Sequence, residues 1–127
     1  MADPGGNIRV FKTAWFSKAA SKAHIDDAAL CADIQEILKG QCVDLGGGVF
    51  KKRLNRNLHR GIVIRGGRCW VYAYLFAKKD RENIDAKELT GFRVLADIFA
   101  KATEAVIARE LKDNELMEIC HETEVQK

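Results

Sequence analysis

Polar and apolar residues alternate over Asn7-Ile8-Arg9-Val10-Phe11-Lys12, the period of a half-buried strand, and predict a first edge strand. Thr13 is suited to cap a helix in which Trp15, Phe16, Ala19, Ala20 and Ala23 recur at helical spacing. A second start at Asp26-Asp27 opens a helix whose Leu30, Ile34, Ile37 and Leu38 form one stripe, and Gly40 suits the left-handed position after its end. Beyond Gly46-Gly47-Gly48, a flexible turn, Val49 to Leu54 alternates as a strand, and Asn55 to His59 is polar enough for a loop.

Gly61 to Arg65 and Arg68 to Ala77 flank Gly66-Gly67, a two-residue spacer that tolerates the positive φ of a tight hairpin. In the second arm a strict two-residue period turns Cys69, Val71, Ala73, Leu75 and Ala77 one way and Trp70, Tyr72, Tyr74, Phe76 and Lys78 the other. After a turn over 79–83, Asp85 caps a helix with Leu89, Phe92, Leu95, Ala96 and Phe99 on one stripe. Thr103 to Lys127 reads as one or two short helices and an acidic tail, seven carboxylates against three basic residues.

These elements predict an α+β fold. A small antiparallel sheet, the N-terminal strand plus three C-proximal strands, packs against two N-terminal helices and the C-terminal helices. The 127 residues, 47% hydrophobic, suit one domain over 1–127, with a core over about 7–102 and an acidic helical extension over 103–127. No apolar run approaches a membrane span, and the first residues lack a signal-peptide layout, so a cytoplasmic protein with no membrane partner is expected. Cys31, Cys42, Cys69 and Cys120 form no C-x-x-C pair, which gives no support to a metal site; four reduced thiols are expected.

Charge changes the picture more than composition does. The net charge is only +3, yet Leu45 to Lys79 contains nine of the 21 basic residues and none of the 18 acidic ones. That segment carries +9 and the rest of the chain −6, so the field is strongly polarised.

Three stretches within and beside this segment carry a resemblance: Leu45-Gly46-Gly47-Gly48-Val49-Phe50-Lys51-Lys52-Arg53-Leu54, His59-Arg60-Gly61, and Tyr74-Leu75-Phe76-Ala77-Lys78-Lys79-Asp80-Arg81-Glu82-Asn83-Ile84. Together with the order strand, two helices, three strands, they resemble the RelE/ParE superfamily of bacterial type II toxins, and more closely its RelE-type mRNA interferases with a Phe-Ala-Lys…Asn-Ile signature, from about Ile8 to about Ile119. The resemblance implies a toxin that cuts mRNA on the ribosome without metal or cofactor, leaves 2′,3′-cyclic phosphate ends and inhibits translation. It also implies a cognate antitoxin, a helix-turn-helix or acidic small protein, as partner.

Cleavage of that kind needs a base for the ribose 2′-hydroxyl, cations for the charge on the pentacoordinate phosphorus, and an acid for the leaving oxygen. If Phe50 and Leu54 face the core, Lys51 and Arg53 share the opposite face. His59 has a near-neutral reference pKa, Arg60 and Arg68 carry phosphate-gripping forks, and Lys78 ends the last strand where the family places site residues. These six are the candidate catalytic residues. Lys52, Arg56, Arg65, Lys79 and Arg81 are candidate RNA contacts by charge, Tyr72 and Tyr74 by stacking, whereas Trp70 and Phe76 suit the core. The competing readings are a non-enzymatic nucleic-acid binder or gyrase poison on the same fold, and an antitoxin-binding module. Within any of them, the acidic C-terminal part is a potential shield for the basic face.

Overall fold

The computed structural model describes residues 8–120. The elements are β1 (Arg9–Thr13), α1 (Ala14–Lys22), α2 (Asp27–Leu38), β2 (Val43–Gly46), β3 (Val49–Leu54), β4 (His59–Gly66), β5 (Cys69–Ala77), α3 (Ala86–Lys101), α4 (Glu104–Lys112) and β6 (Leu116–Ile119). Local chemistry sets the helix starts: Thr13 Oγ1 accepts from the Phe16 amide at 3.0 Å, Asp26 Oδ1 from Ala29 at 2.9 Å, and Asp85 with Glu88 closes a capping box on α3. Gly40, at φ 86°, follows α2 as expected.

The strands form one six-stranded sheet in the order β2-β3-β4-β5-β1-β6. The sheet is mixed, not antiparallel: β1 runs parallel to β5, reached by a long crossover, and only its other neighbour, β6, is antiparallel to it. β1 is therefore an internal strand and not an edge. Two short strands also make the sheet larger than the four strands expected. Val43–Gly46, of which only Gly46 is expected, in a turn, extends the sheet beyond β3, and Leu116–Ile119, read as helix, covers the edge of β1. Four-residue runs are too short to display a period, and tertiary pairing decides them. Residues 121–127, the end of the expected tail, and Asn7 lie outside the described residues.

Helices cover both faces. On one, Phe16, Leu30, Ile34 and Ile37 of α1 and α2 pack on Val10, Leu54, Val63, Trp70 and Tyr72. On the other, Ala96 of α3 and Ile107 of α4 pack on Phe11, Ile64, Cys69 and Val71. α3 lies close against the β4–β5 hairpin because Gly66 has no side chain: a Cβ there would lie 2.5 Å from the Ala96 oxygen and 2.6 Å from the Ala100 nitrogen. Gly66 pairs with Cys69, so the hairpin loop is Gly67-Arg68, one residue later than the spacer predicts, with Gly67 at φ 60°. Cys31 of α2 and Cys120, just past β6, are joined by a disulfide, and among the described cysteines Cys42 and Cys69 are free. This corrects the expectation of four reduced thiols. Pairing β6 beside β1 brings its end over α2, with the two Cα atoms 5.3 Å apart, a proximity with no sequence signature at a separation of 89.

Candidate functional site

The run Lys51-Lys52-Arg53 is divided by the strand period. Phe50, Lys52 and Leu54 turn toward α2, where Lys52 is buried and its Nζ donates to Glu36 Oε1 at 2.6 Å. This bond and the charge of Lys52 hold the Glu36 carboxyl below its ordinary pKa. Asp33, half-buried one turn earlier, is pushed up to about 6, chiefly by burial, with Lys52 opposing and Glu36 adding to the shift. Val49, Lys51 and Arg53 face the other way; Val49 is covered, whereas Lys51 is partly exposed and Arg53 exposed.

On β4 the partner of Arg53 is Arg60, and the partner of Arg60 on β5 is Phe76. Residues opposite one another in antiparallel strands share a face. The strict two-residue period fails in β5. Ile62 pairs with Tyr74 but Val63 with Tyr72, so Ala73 is an extra residue at a bulge. The predicted aromatic face is thereby split: Trp70, Tyr72 and Leu75 pack toward α1 and α2, whereas Tyr74 and Phe76 lie with Val49, Ile62 and Ile84 toward α3. Lys78, just past the strand, lines one cleft with Lys51, Arg53 and Arg60. That cleft measures about 440 Å³ and is completed by Val43, Glu82 and Asn83.

The cleft wall is braced from α3. Arg81 donates to both Glu88 carboxylate oxygens at 2.6 and 3.1 Å and to the Asn83 carbonyl at 2.9 Å, and its guanidinium lies 5.4 Å from the Phe76 ring centroid. The pair raises the Arg81 pKa and lowers that of Glu88, in each case first through the hydrogen bond. On the β2 side Arg93 donates to the Leu45 and Gly46 carbonyls at 2.6 and 3.2 Å, tying the triple-glycine hairpin to α3.

Four of the six catalytic candidates, Lys51, Arg53, Arg60 and Lys78, thus share one cleft. His59 opens β4 rather than lying in a loop; paired with Leu54 and Ala77, it turns to the α2 face, and its Nδ1 faces Asn55 Nδ2 at 3.1 Å. Arg68 is at the hairpin loop, at the opposite end of β4, where it meets Glu104 at 3.5 Å. Of the RNA-contact candidates, Lys52 and Arg81 are held in ion pairs. Arg65 lies 5.5 Å from the Trp70 ring centroid near that same hairpin. Tyr72 is fully buried, its hydroxyl donating to the Leu30 carbonyl at 2.7 Å and its pKa raised well above the ordinary value, mainly by burial. Tyr74 is half-buried, with its ring 4.9 Å from Trp15 and its hydroxyl accepting from Arg81 at 3.4 Å. Arg56 and Lys79 line a neighbouring cleft that also contains Lys78.

Val43, Glu82 and Asn83 were not among the sequence candidates for the site. The only available signal was the position of Glu82 and Asn83 in the turn after Phe76-Ala77-Lys78. Within the acidic C-terminal part, Glu104 and Glu118 engage Arg9 across β1, and Glu104 also meets Arg68; none of these contacts involves the basic cleft. Among the described residues no cluster of His, Cys, Asp or Glu is placed to hold a metal ion, and no helix is long and apolar enough to cross a membrane.

A mixed sheet covered on both faces, with cations gathered from β3, β4 and the end of β5, is consistent with a RelE-like toxin fold. The family model described as the RelE toxin of the RelE/RelB toxin–antitoxin system matches residues 8–119. The chain belongs to this toxin family. The match takes in α4 and β6, so most of the expected extension is part of the family's own span. No curated protein and no solved structure gives a significant match.

Proposed function

We propose that this toxin is a ribosome-dependent, metal-independent mRNA endonuclease of the cytoplasm, silenced by a cognate antitoxin. The supporting observation is the convergence of Lys51, Arg53, Arg60 and Lys78 on one cleft at the ends of three paired strands. Arg53 and Arg60, opposite one another on rigid strands, grip the phosphodiester through their guanidinium forks. Glu82, the one carboxylate among the lining residues, takes the proton of the 2′-hydroxyl as that oxygen bonds to phosphorus. The phosphorane charge is met by both guanidiniums, and a lysine ammonium, Lys51 or Lys78, protonates the departing 5′-oxygen. The P–O5′ bond breaks, leaving a 2′,3′-cyclic phosphate and a 5′-hydroxyl.

Purified ribosomes with a defined message provide the test. The wild-type chain cuts the message with cyclic phosphate ends, and Arg53→Gln or Arg60→Gln lowers the single-turnover rate by about 10²–10³ while the far-ultraviolet dichroism is unchanged. An uncut message in the presence of ribosomes overturns the enzymatic reading in favour of a non-enzymatic binder.

A further inference from the structure

The β3–β4 turn shapes a second cleft of about 580 Å³ from which the reaction above uses only Lys78. Three consecutive residues of this turn, Asn55, Arg56 and Asn57, have left-handed backbones with φ of 52°, 55° and 71°. Asparagine tolerates that region; arginine is uncommon there, so the turn holds Arg56 in a conformation it seldom adopts alone. The turn is tied to the segment after β5 by the Lys78 amide, which donates to the Leu58 carbonyl at 2.9 Å. Leu58 stands 60% exposed at the cleft, a large apolar side chain among polar neighbours. Beside it lies His59. The Asn55 side-chain nitrogen faces two acceptors, the Ala23 carbonyl at 3.4 Å and His59 Nδ1 at 3.1 Å. In the neutral ring this leaves Nε2 as the donor.

The second cleft therefore combines an apolar platform, an imidazole held in one orientation, and the charges of Arg56, Lys78 and Lys79. Lys78 lines both clefts, so they adjoin at the end of β5. That set of groups suits a nucleotide: a base lies flat on leucine and imidazole, and its phosphate meets the cations. We propose that the Arg56–Lys79 cleft binds the nucleotide flanking the scissile phosphate of the same RNA strand, which passes over Lys78 from one cleft to the other. The inference rests on the nuclease reading for the identity of the strand. It assigns to His59 and Leu58 a role in positioning the substrate rather than in bond cleavage.

The full chain, labelled with ¹⁵N, is titrated with non-cleavable 2′-O-methyl RNA. A dinucleotide shifts amides around Lys51, Arg53 and Arg60 only; a tetranucleotide also shifts those of Leu58, His59 and Lys79. The Arg56→Gly/Leu58→Ser variant changes exposed groups and suits the left-handed backbone at 56, so its fold is kept. It binds the dinucleotide as wild type and the tetranucleotide about tenfold more weakly, the effect of one stacked base. Tetranucleotide shifts confined to the first cleft, or equal tetranucleotide affinity in the variant, overturn this inference and leave the nuclease reading standing. Absence of shifts in both clefts also overturns this inference, and the nuclease reading is decided separately by the ribosome assay.

Discussion

Lys52 Nζ and Glu36 Oε1 meet at 2.6 Å beneath α2, while Lys51 and Arg53, the immediate neighbours of Lys52, face the opposite side of the sheet. One consequence concerns stability. The Lys52 side chain is 8% exposed and that of Glu36 49%, so removing the carboxylate leaves a mostly buried ammonium without this partner. Glu36→Gln is expected to lower stability, by less than for a fully buried pair because one member is solvated. Lys52→Met, which removes the charge itself, is expected to cost less than Glu36→Gln. Urea midpoints of the two variants check the order.

Asp33 titrates with the opposite sign to Glu36. Its folded pKa of about 6 lies above the ordinary 3.8, so its charged form disfavours the native state, and the penalty grows as pH rises from about 4 to about 6. Glu36, lowered by Lys52, adds stability that is lost as pH falls through its folded pKa. Asp33→Asn is therefore expected to raise stability by about 1 kcal/mol at pH 7.5, a figure reduced for the carboxyl's partial solvation, and to have little effect at pH 4. Thermal melts at the two pH values read this out.

Gly66→Ala forces a methyl group to within 2.5 Å of the Ala96 oxygen and 2.6 Å of the Ala100 nitrogen, both of which are helix backbone. Neither atom can swing aside as a side chain would, so α3 must move from the hairpin. The expected loss is about 3 kcal/mol. Gly91→Ala, where the added atom meets nothing within 4 Å, is expected to be neutral or slightly stabilising. A denaturation series comparing the two substitutions checks the contrast.

The Cys31–Cys120 bond ties α2 to the end of β6 across a separation of 89 residues. Loop closure of that size restricts the unfolded chain, and reduction is expected to lower stability by about 4.6 kcal/mol in the chain-entropy picture. Wild type should therefore lose stability with dithiothreitol, whereas Cys31→Ser should respond to it little. Under denaturing, non-reducing conditions a thiol assay should count two free thiols in wild type, those of Cys42 and Cys69.

RNA affinity should fall with salt in proportion to the phosphates neutralised. If the first cleft's Lys51, Arg53, Arg60 and Lys78 engage two to four phosphates, log K against log salt has a slope of about −1.5 to −3 for a single strand. Arg53→Gln should make the slope shallower by about 0.7, and Arg68→Gln, at the far hairpin, should leave it unchanged. Fluorescence anisotropy over a salt series gives both numbers.

What the sequence determined follows from local rules. Thr13, Asp26 and Asp85 cap their helices because a side-chain oxygen satisfies an amide three residues on. The acid-free segment from Leu45 to Lys79 marks the polarised region, and the two-residue period separates Lys51 and Arg53 from Lys52 once Phe50 and Leu54 pack toward the core.

Tertiary structure alone decided the rest. The Ala73 bulge ends the strict alternation of β5 and brings Phe76, and with it Lys78, to the face of Arg60. The length of β4 separates Arg68 from the cleft, and the pairing of His59 into that strand turns it and Arg60 to opposite faces. β2 and β6, four residues each, exist as strands because β3 and β1 offer free edges, and the pairing of β6 in turn brings Cys120 to Cys31. Periodicity reports which residues prefer to be buried; it does not report which edge pairs with which, where one extra residue enters a strand, or what distant element then becomes a neighbour.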